Sequence, residues 1–341
     1  MKKSRLFFVS LGLALVFSMG SAWSADSSIK FAYLGKPDPH KAAYTTGVVN
    51  FAHLMEKVSG GRLQVKIFPS GTLGQETDIL QAVKSNAVQM TSASMVTLSR
   101  IFPPAQVMMA PYIFKNDAVA WEVVDGPYGQ KLLDAFTDKT GIKALAIVDS
   151  GFLTITNSKR AVRTPADFKG IKFRAMGPLQ ANMFKALGAS AVPIPWPETY
   201  TSLQTGVADG QTNAAFVVAV FKLYEVQKYM TLANSQFGYQ LWLCNKSWYD
   251  GLSEADHDIL RDAVKAGRLS TRSMALLREQ ESLTQLKEQG MQITALTGEQ
   301  ISDLQKLAGP ACLDWLKSQM EPEWVEDLLK AIAAAETKLG Y

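Results

Sequence analysis

Cysteine and histidine are scarce in this chain, with two cysteines and three histidines among 341 residues. His40, His53 and His257 are scattered, and none has a metal-ligand partner at helical or loop spacing, so no metal centre is expected and each should pack or sit at the surface. No CxxC pair, no glycine-rich phosphate loop after a strand and no nucleophile elbow occurs, so the motifs of several large enzyme classes are missing. No cofactor is called for. Carboxylates that only the fold would pair stay invisible at this level. Two cysteines do not make a disulfide framework, and Cys244 and Cys312 are expected as buried free thiols. Charge is low as well. Thirty-five Lys and Arg against 31 Asp and Glu are dispersed along the chain, which argues against a nucleic-acid partner.

Long apolar runs are missing except near the N-terminus. Residues 6–19 are almost wholly apolar behind Lys2, Lys3 and Arg5, and Ala22-Trp23-Ser24 places small side chains where a signal peptidase reads. The run is shorter than the roughly 20 residues a spanning helix needs. Residues 1–24 are therefore expected to be a cleaved signal peptide and the mature chain to be exported. Removing 24 of 341 residues leaves 317, and the loss of three positive charges takes the net charge from +4 to +1. That length suits two domains.

What is present is an alternation of strand and helix signals. Residues 29–34 read as a strand and 42–58 as a helix stopped by Gly60 and Gly61. Residues 62–68 alternate with Leu63, Val65 and Ile67 on one face; 75–86 return to helical spacing, and 87–91 read as a strand. This β-α-β-α-β order predicts a parallel sheet with helices on both faces. A second series begins with strands at 142–148 and 152–156. Thr164-Pro165-Ala166-Asp167 has the hydroxyl, proline and carboxylate of a helix start. Strands at 171–175 and 191–194 and helices at 179–187 and 198–206 complete it. The segments 83–89 and 203–209 share one pattern of apolar, polar and helix-stop residues, which fits the same helix-to-strand corner in two lobes. Ser253 caps a helical stretch running to Gly290, interrupted only by Gly267. Unbroken, it would be roughly 57 Å long, against about 30 Å for a small domain. It should cross both lobes as their spine.

One residue breaks the apolar pattern. Arg174 lies inside the strand 171–175, where alternation puts Lys172 and Arg174 on the face opposite Phe173. Two readings stay open: an arginine on a solvated edge, or a buried guanidinium that needs an anion to satisfy its donors.

From Thr156 to Arg174 the chain reads TNSKRAVRTPADFKGIKFR, and this resembles the solute-binding proteins of tripartite ATP-independent periplasmic (TRAP) transporters, the DctP family. The segments Phe68-Pro69-Ser70-Gly71-Thr72-Leu73-Gly74, Leu187-Gly188-Ala189, Trp196-Pro197-Glu198-Thr199-Tyr200 and the run from Leu203 to Asn213 agree with it in order. The resemblance implies an α/β fold of two lobes, each a mostly parallel sheet flanked by helices, with a ligand cleft between them. Lobe I would take residues 25–150 with a return segment near 238–270. Lobe II would take 151–237 with helices near 271–341. It further implies a periplasmic binding protein without enzymatic activity that captures a small organic anion by closure and hands it to membrane permease subunits, as a monomer. A soluble partner of a receptor or of an ATP-driven transporter is the alternative.

In such proteins the arginine matching Arg174 grips the ligand's anionic group, the asparagine matching Asn213 contacts it from the same lobe, and the aromatic matching Trp196 lines the cleft. Ser92 and Ser94, after the third strand, should offer hydroxyls from the other lobe. Phe216, close behind Asn213, and Tyr239, where the chain recrosses, complete the candidate site. Glu198 and Asp209 are expected to serve a helix start and a turn. Relatives that take sialic acid carry a second arginine after the glycine matching Gly151, where this chain reads Gly151-Phe152-Leu153-Thr154. The expected ligand is therefore a smaller hydroxy-, keto- or dicarboxylate, or a short sulfonate.

Overall fold

The computed structural model describes residues 28–341, so the expected signal peptide lies outside the described residues. Eleven strands form two sheets among them. β1 (Ile29–Ala32), β2 (Val65–Phe68), β3 (Met90–Ser94) and β4 (Ile142–Phe152) are followed by β5 (Thr154–Asn157), β6 (Lys172–Ala175), β7 (Ser190–Pro193), β8 (Gly210–Asn213) and β9 (Tyr229–Leu232), then by β10 (Phe237–Asn245) and β11 (Gln292–Ala295). The first sheet has the order β2-β1-β3-β10-β4 and the second β11-β9-β5-β8-β6-β7.

Both sheets are mixed. β1 pairs in parallel with β2 and β3, as the alternating order predicts, but β10 is inserted antiparallel between β3 and β4. In the second sheet β6 is parallel to β7 and β8, whereas β5 is antiparallel to β8 and β9. The departures involve the strands that carry the chain between sheets, which no βαβ crossover constrains.

Helices cover these sheets. In the first half they are α1 (Ala43–Val58), α2 (Glu76–Lys84), α3 (Met95–Leu98), α4 (Asp117–Asp125) and α5 (Pro127–Thr140). In the second they are α6 (Pro178–Ala186), α7 (Thr199–Gln204), α8 (Ala215–Val220), α9 (Lys246–Asp250), α10 (Glu254–Glu288), α11 (Gly298–Gln319) and α12 (Glu323–Leu339). α1 buries Val48, Phe51 and Met55, spaced three and four apart, against the first sheet. There Phe31, Phe51 and Trp242 meet edge to face at centroid separations of 5.2 to 5.8 Å.

Several local expectations shift. β3 starts at Met90 rather than Ala87, because Ala87 and Val88 belong to the corner that ends α2. There Asn86 takes φ 62°, and the Val88 amide donates to Ala82 O. Gly206, at φ 74°, and Ala208, bonded to Ser202 O, repeat that corner after α7. The two similar sequence segments therefore fold alike. Thr164 and Asp167 do form a capping box, but it opens only a single 3-10 turn, Pro165–Phe168, which buries Phe168 before the chain enters β6. The strand expected to end at 148 runs on to Phe152.

α10 is one unbroken helix of 35 residues, capped by the Ser253 side chain. Gly267 does not interrupt it, because it is where α1 crosses. A Cβ there would lie 2.6 Å from the Trp242 ring and 2.8 Å from Gly47 O. The N-terminal part of α10 packs on α1 and β4, and its later turns reach α8 and β11. It is one of the links between the sheets. A second is the single residue Leu153 between β4 and β5, and a third is the return from β9 to β10.

The C-terminal helices divide. α11 packs on α6, beside the second sheet, but α12 lies against α4 and α5 of the first. The Tyr128 hydroxyl donates to Trp324 O at 2.8 Å, and Lys131 pairs with Asp327 at 2.7 Å. The side chains of Val325, Leu328 and Ile332, which α12 buries, join the apolar cluster that also holds Val119, Val123 and Leu132 of α4 and α5. Cys244 on β10 and Cys312 on α11 are buried and free.

Candidate functional site

Between the two sheets lies a cavity of about 630 Å³, within the range of small-molecule sites. It opens at the carboxyl ends of β6 and β8, where parallel strands of an open sheet expose their last side chains. Arg174, Asn213, Trp196, Ser92, Ser94, Phe216 and Tyr239 all line it. The fold brings these seven candidate residues together.

Arg174 occupies the third position of β6 and is only 3% exposed. Its Nε donates to Ile194 O at 2.9 Å, and its guanidinium carbon sits 5.8 Å from the centre of the Trp196 ring. Nη1 has no hydrogen-bond partner, and no carboxylate among the described residues forms a salt bridge with this arginine. Burial without a counter-charge pulls its pKa down to about 10, so it still carries its charge at neutral pH. Of the two readings left open by the sequence, the buried guanidinium is the one realised. Lys172, on the same strand face but at its other end, is exposed.

Asn213 ends β8, and its Nδ2 donates to Gln211 Oε1 at 2.5 Å. The second Nδ2 hydrogen and the Oδ1 acceptor are not engaged by any described residue. Trp196 packs edge-on against Phe221 at 4.7 Å, so it is both a packing residue and cavity wall. Phe216 lies in the first turn of α8, whose Ala215 and Phe216 amides donate to the Glu279 carboxylate of α10. The spine helix thereby fixes this wall of the cavity.

The hydroxyls behave differently from expectation. Ser92 Oγ donates to Gln240 Oε1 at 2.5 Å, Ser94 Oγ to Glu76 Oε2 at 2.6 Å, and the Tyr239 hydroxyl to Ala105 O at 2.5 Å. Each spends its one proton inside the protein, and burial holds the Tyr239 pKa well above the ordinary tyrosine value. Asp209 serves its turn, accepting from the Lys172 amide and pairing with Lys159.

Glu76, Tyr44, Gln240, Lys36 and Arg100 also line the cavity and were not singled out from the sequence. Glu76 accepts from the Ser94 amide and hydroxyl and from the Thr97 hydroxyl, joining α2 to the end of β3. In the sequence it is one acidic residue at a helix start, a placement that helices commonly show, so no local signal marked it. Lys36 reaches across from the first sheet to lie 5.2 Å over the Phe221 ring of the second.

Behind the cavity the chain crosses between sheets. Gly151, at φ 77°, faces Gly238, and the β4–β10 register shifts at Gly238/Tyr239, so a bulge bends both strands there. Arg272 of α10 ties this crossing down through Asp149 at 2.7 Å and Asp125 at 2.9 Å, with Trp121 donating to Asp149.

The sequence profile of bacterial extracellular solute-binding protein family 7, DctP, matches residues 35–318. The chain belongs to the DctP family. A solute-binding protein of Verminephrobacter eiseniae is 33% identical over 84% of this chain and 83% of its own length. The 2,3-diketo-L-gulonate-binding periplasmic protein YiaO of Escherichia coli is 30% identical over 97% of this chain and 98% of its own. Among solved structures, the sugar acid binding protein of Advenella mimigardefordensis, in complex with galactonate, superimposes with a TM-score of 0.84 at 31% identity, covering 90% of this chain and 98% of that one. This DctP protein is a TRAP-type solute-binding protein with the two-lobed fold of its relatives.

Proposed function

We propose that this DctP protein captures a small organic anion, a carboxylate or short sulfonate, in the periplasm and delivers it to the permease subunits of a TRAP transporter, without chemical change to the ligand. The single observation that carries the reading is Arg174, a buried cation with an unpaired donor, no internal acid and a cavity in front of it. A planar guanidinium matches two oxygens of a carboxylate or sulfonate with parallel hydrogen bonds. Asn213 adds a donor and an acceptor beside it.

The lobes move as residues 28–150 with 238–270 and α12 against residues 151–237 with α11, and closure around the ligand excludes water. Two charge-assisted bonds contribute about 3–6 kcal/mol, whereas micromolar affinity needs about 8 kcal/mol. Asn213, the opposite wall and water exclusion supply the remainder. The site works as a monomer, since both walls come from one chain.

The test is calorimetric titration of the mature protein and of Arg174→Lys with small carboxylates and sulfonates. Lysine keeps the charge but loses the planar fork, and binding should weaken at least tenfold. Wild-type affinity in that variant removes Arg174 from the site.

A further inference from the structure

On the first sheet's side of the cavity an acceptor stands beside a donor. Ser94 and Gln240 are register partners on the antiparallel strands β3 and β10, so their side chains leave the same face of the sheet with Cβ atoms about 5 Å apart. Ser94 holds the Glu76 carboxylate: its amide donates to Oε1 and its hydroxyl to Oε2, each at 2.6 Å. The Thr97 hydroxyl also donates to Oε2, so the spare acceptor site of the carboxylate is on Oε1. Gln240 takes the Ser92 hydroxyl on Oε1, and its Nε2 donates to no described residue. Glu76 and Gln240 both line the cavity, and Glu76 is the one lining carboxylate among the described residues before β5. Further donors share this wall. The Ser150 hydroxyl accepts from Tyr44 and keeps its own proton, Thr77 Oγ1 has no described partner, and Lys36 and Arg100 bring positive charge.

We propose that Glu76 and Gln240 form a specificity subsite for a hydroxyl group on the part of the ligand that faces the first sheet. The proposal rests on the anion-capture reading of Arg174 and adds a second recognition point to the same cavity. A hydroxyl donates and accepts through one oxygen, so it can donate to Glu76 Oε1 while accepting from Gln240 Nε2. A keto oxygen accepts from Gln240 but turns its lone pairs on the carboxylate. An ammonium satisfies Glu76 but meets the Gln240 donor, and Lys36 and Arg100 set like charge against it on the same wall. A methylene leaves both protein groups stripped of water and unpaired, the costly case for polar groups in a closed site.

The experiment is calorimetric titration of the mature protein, stripped of bound solute, with hexanoate and with its monohydroxy derivatives, the hydroxyl moved along the chain one carbon at a time. At the position the subsite reads, the hydroxy acid should bind at least roughly tenfold tighter than hexanoate, and tighter than the oxo- and amino-substituted acids of that position. Gln240→Glu keeps an acceptor for Ser92 and turns the subsite's donor into a second acceptor. In that variant the amino-substituted acid should overtake the hydroxy acid, a reversal that damage to folding or packing does not produce. Glu76→Gln should cut the ratio of hydroxy acid to hexanoate to about threefold or less. No gain from a hydroxyl at any position, a hydroxy acid that still leads in Gln240→Glu, or an intact ratio in Glu76→Gln overturns the subsite. Arg174→Met, titrated with the same acids, separates the two layers. If it abolishes binding while the subsite fails these tests, anion capture stands and the hydroxyl reading falls. If no acid binds the wild type, or Arg174→Met binds them equally well, both fall.

Discussion

Replacing Arg174 with methionine should make the empty protein more stable and useless for binding. In the empty cavity the guanidinium is charged, buried and unpaired. Its pKa, depressed by burial from the ordinary arginine value to about 10, corresponds to about 3 kcal/mol of unfavourable charge burial at neutral pH. Methionine fills similar space without charge, but the variant loses the Nε bond to Ile194 O, worth about 1 kcal/mol. The balance is a gain of about 2 kcal/mol. For a chain of this length that raises Tm by roughly 3 °C. Ligand binding moves the opposite way. Losing two charge-assisted bonds of about 1.5–3 kcal/mol each weakens Kd by at least two orders of magnitude. The assay is a paired thermal melt, with and without the best-binding acid, by differential scanning calorimetry. Wild type should start lower and rise with ligand by mass action; the variant should start higher and not respond. A variant that melts several degrees below wild type without ligand would refute the claim that this charge is held at a cost.

Two other perturbations probe closure and the crossing. A Cβ on Gly177 would lie 2.8 Å from Val96 Cγ1 across the cavity, so Gly177→Val should hold the lobes apart. Ligand affinity should fall at least tenfold while the melt of the empty protein stays within a degree or so, because the clash is relieved by opening. An unchanged radius of gyration by small-angle scattering alongside unchanged affinity would show that the lobes do not meet there. Burial, with Asp149 adding and Arg272 opposing, raises the Asp117 carboxyl pKa, and its Oδ1 is buried without a partner. A raised folded-state value favours the protonated form, so this group's contribution to stability is present below the unfolded value near 3.9 and lost as pH rises through the folded one. Asp117→Asn should therefore raise Tm at about pH 7.5, with the gain shrinking towards about pH 4. An equal gain at both values would locate the effect in packing rather than charge.

Comparison of sequence and structure separates by range of interaction. The helix stops at Asn86 and Gly206, the Ser253 cap and the alternation through Phe173 are set by neighbours a few residues apart, and they appear where the pattern puts them. Alternation could not say whether Arg174 or Lys172 faced the cavity, because both project from the same face. Their fates differ only because β6 enters the cleft at its carboxyl end. Glu76 was overlooked for a related reason. Its role arises when α2 packs beside the end of β3, and a first-turn carboxylate looks the same in any helix.

The amino-acid sequence by itself determined the alternating elements, the long spine helix and the identity of the arginine that breaks an apolar strand, since these follow from 2-residue and 3.6-residue periodicities and from local backbone preferences. Only the tertiary structure decided that β10 enters the first sheet antiparallel, that α12 packs on α4 and α5, and that Ser92, Ser94 and Tyr239 spend their hydroxyl protons on internal partners. Those outcomes join residues far apart along the chain. They depend on which apolar faces and which donors meet in space, and no periodicity of neighbouring residues encodes that.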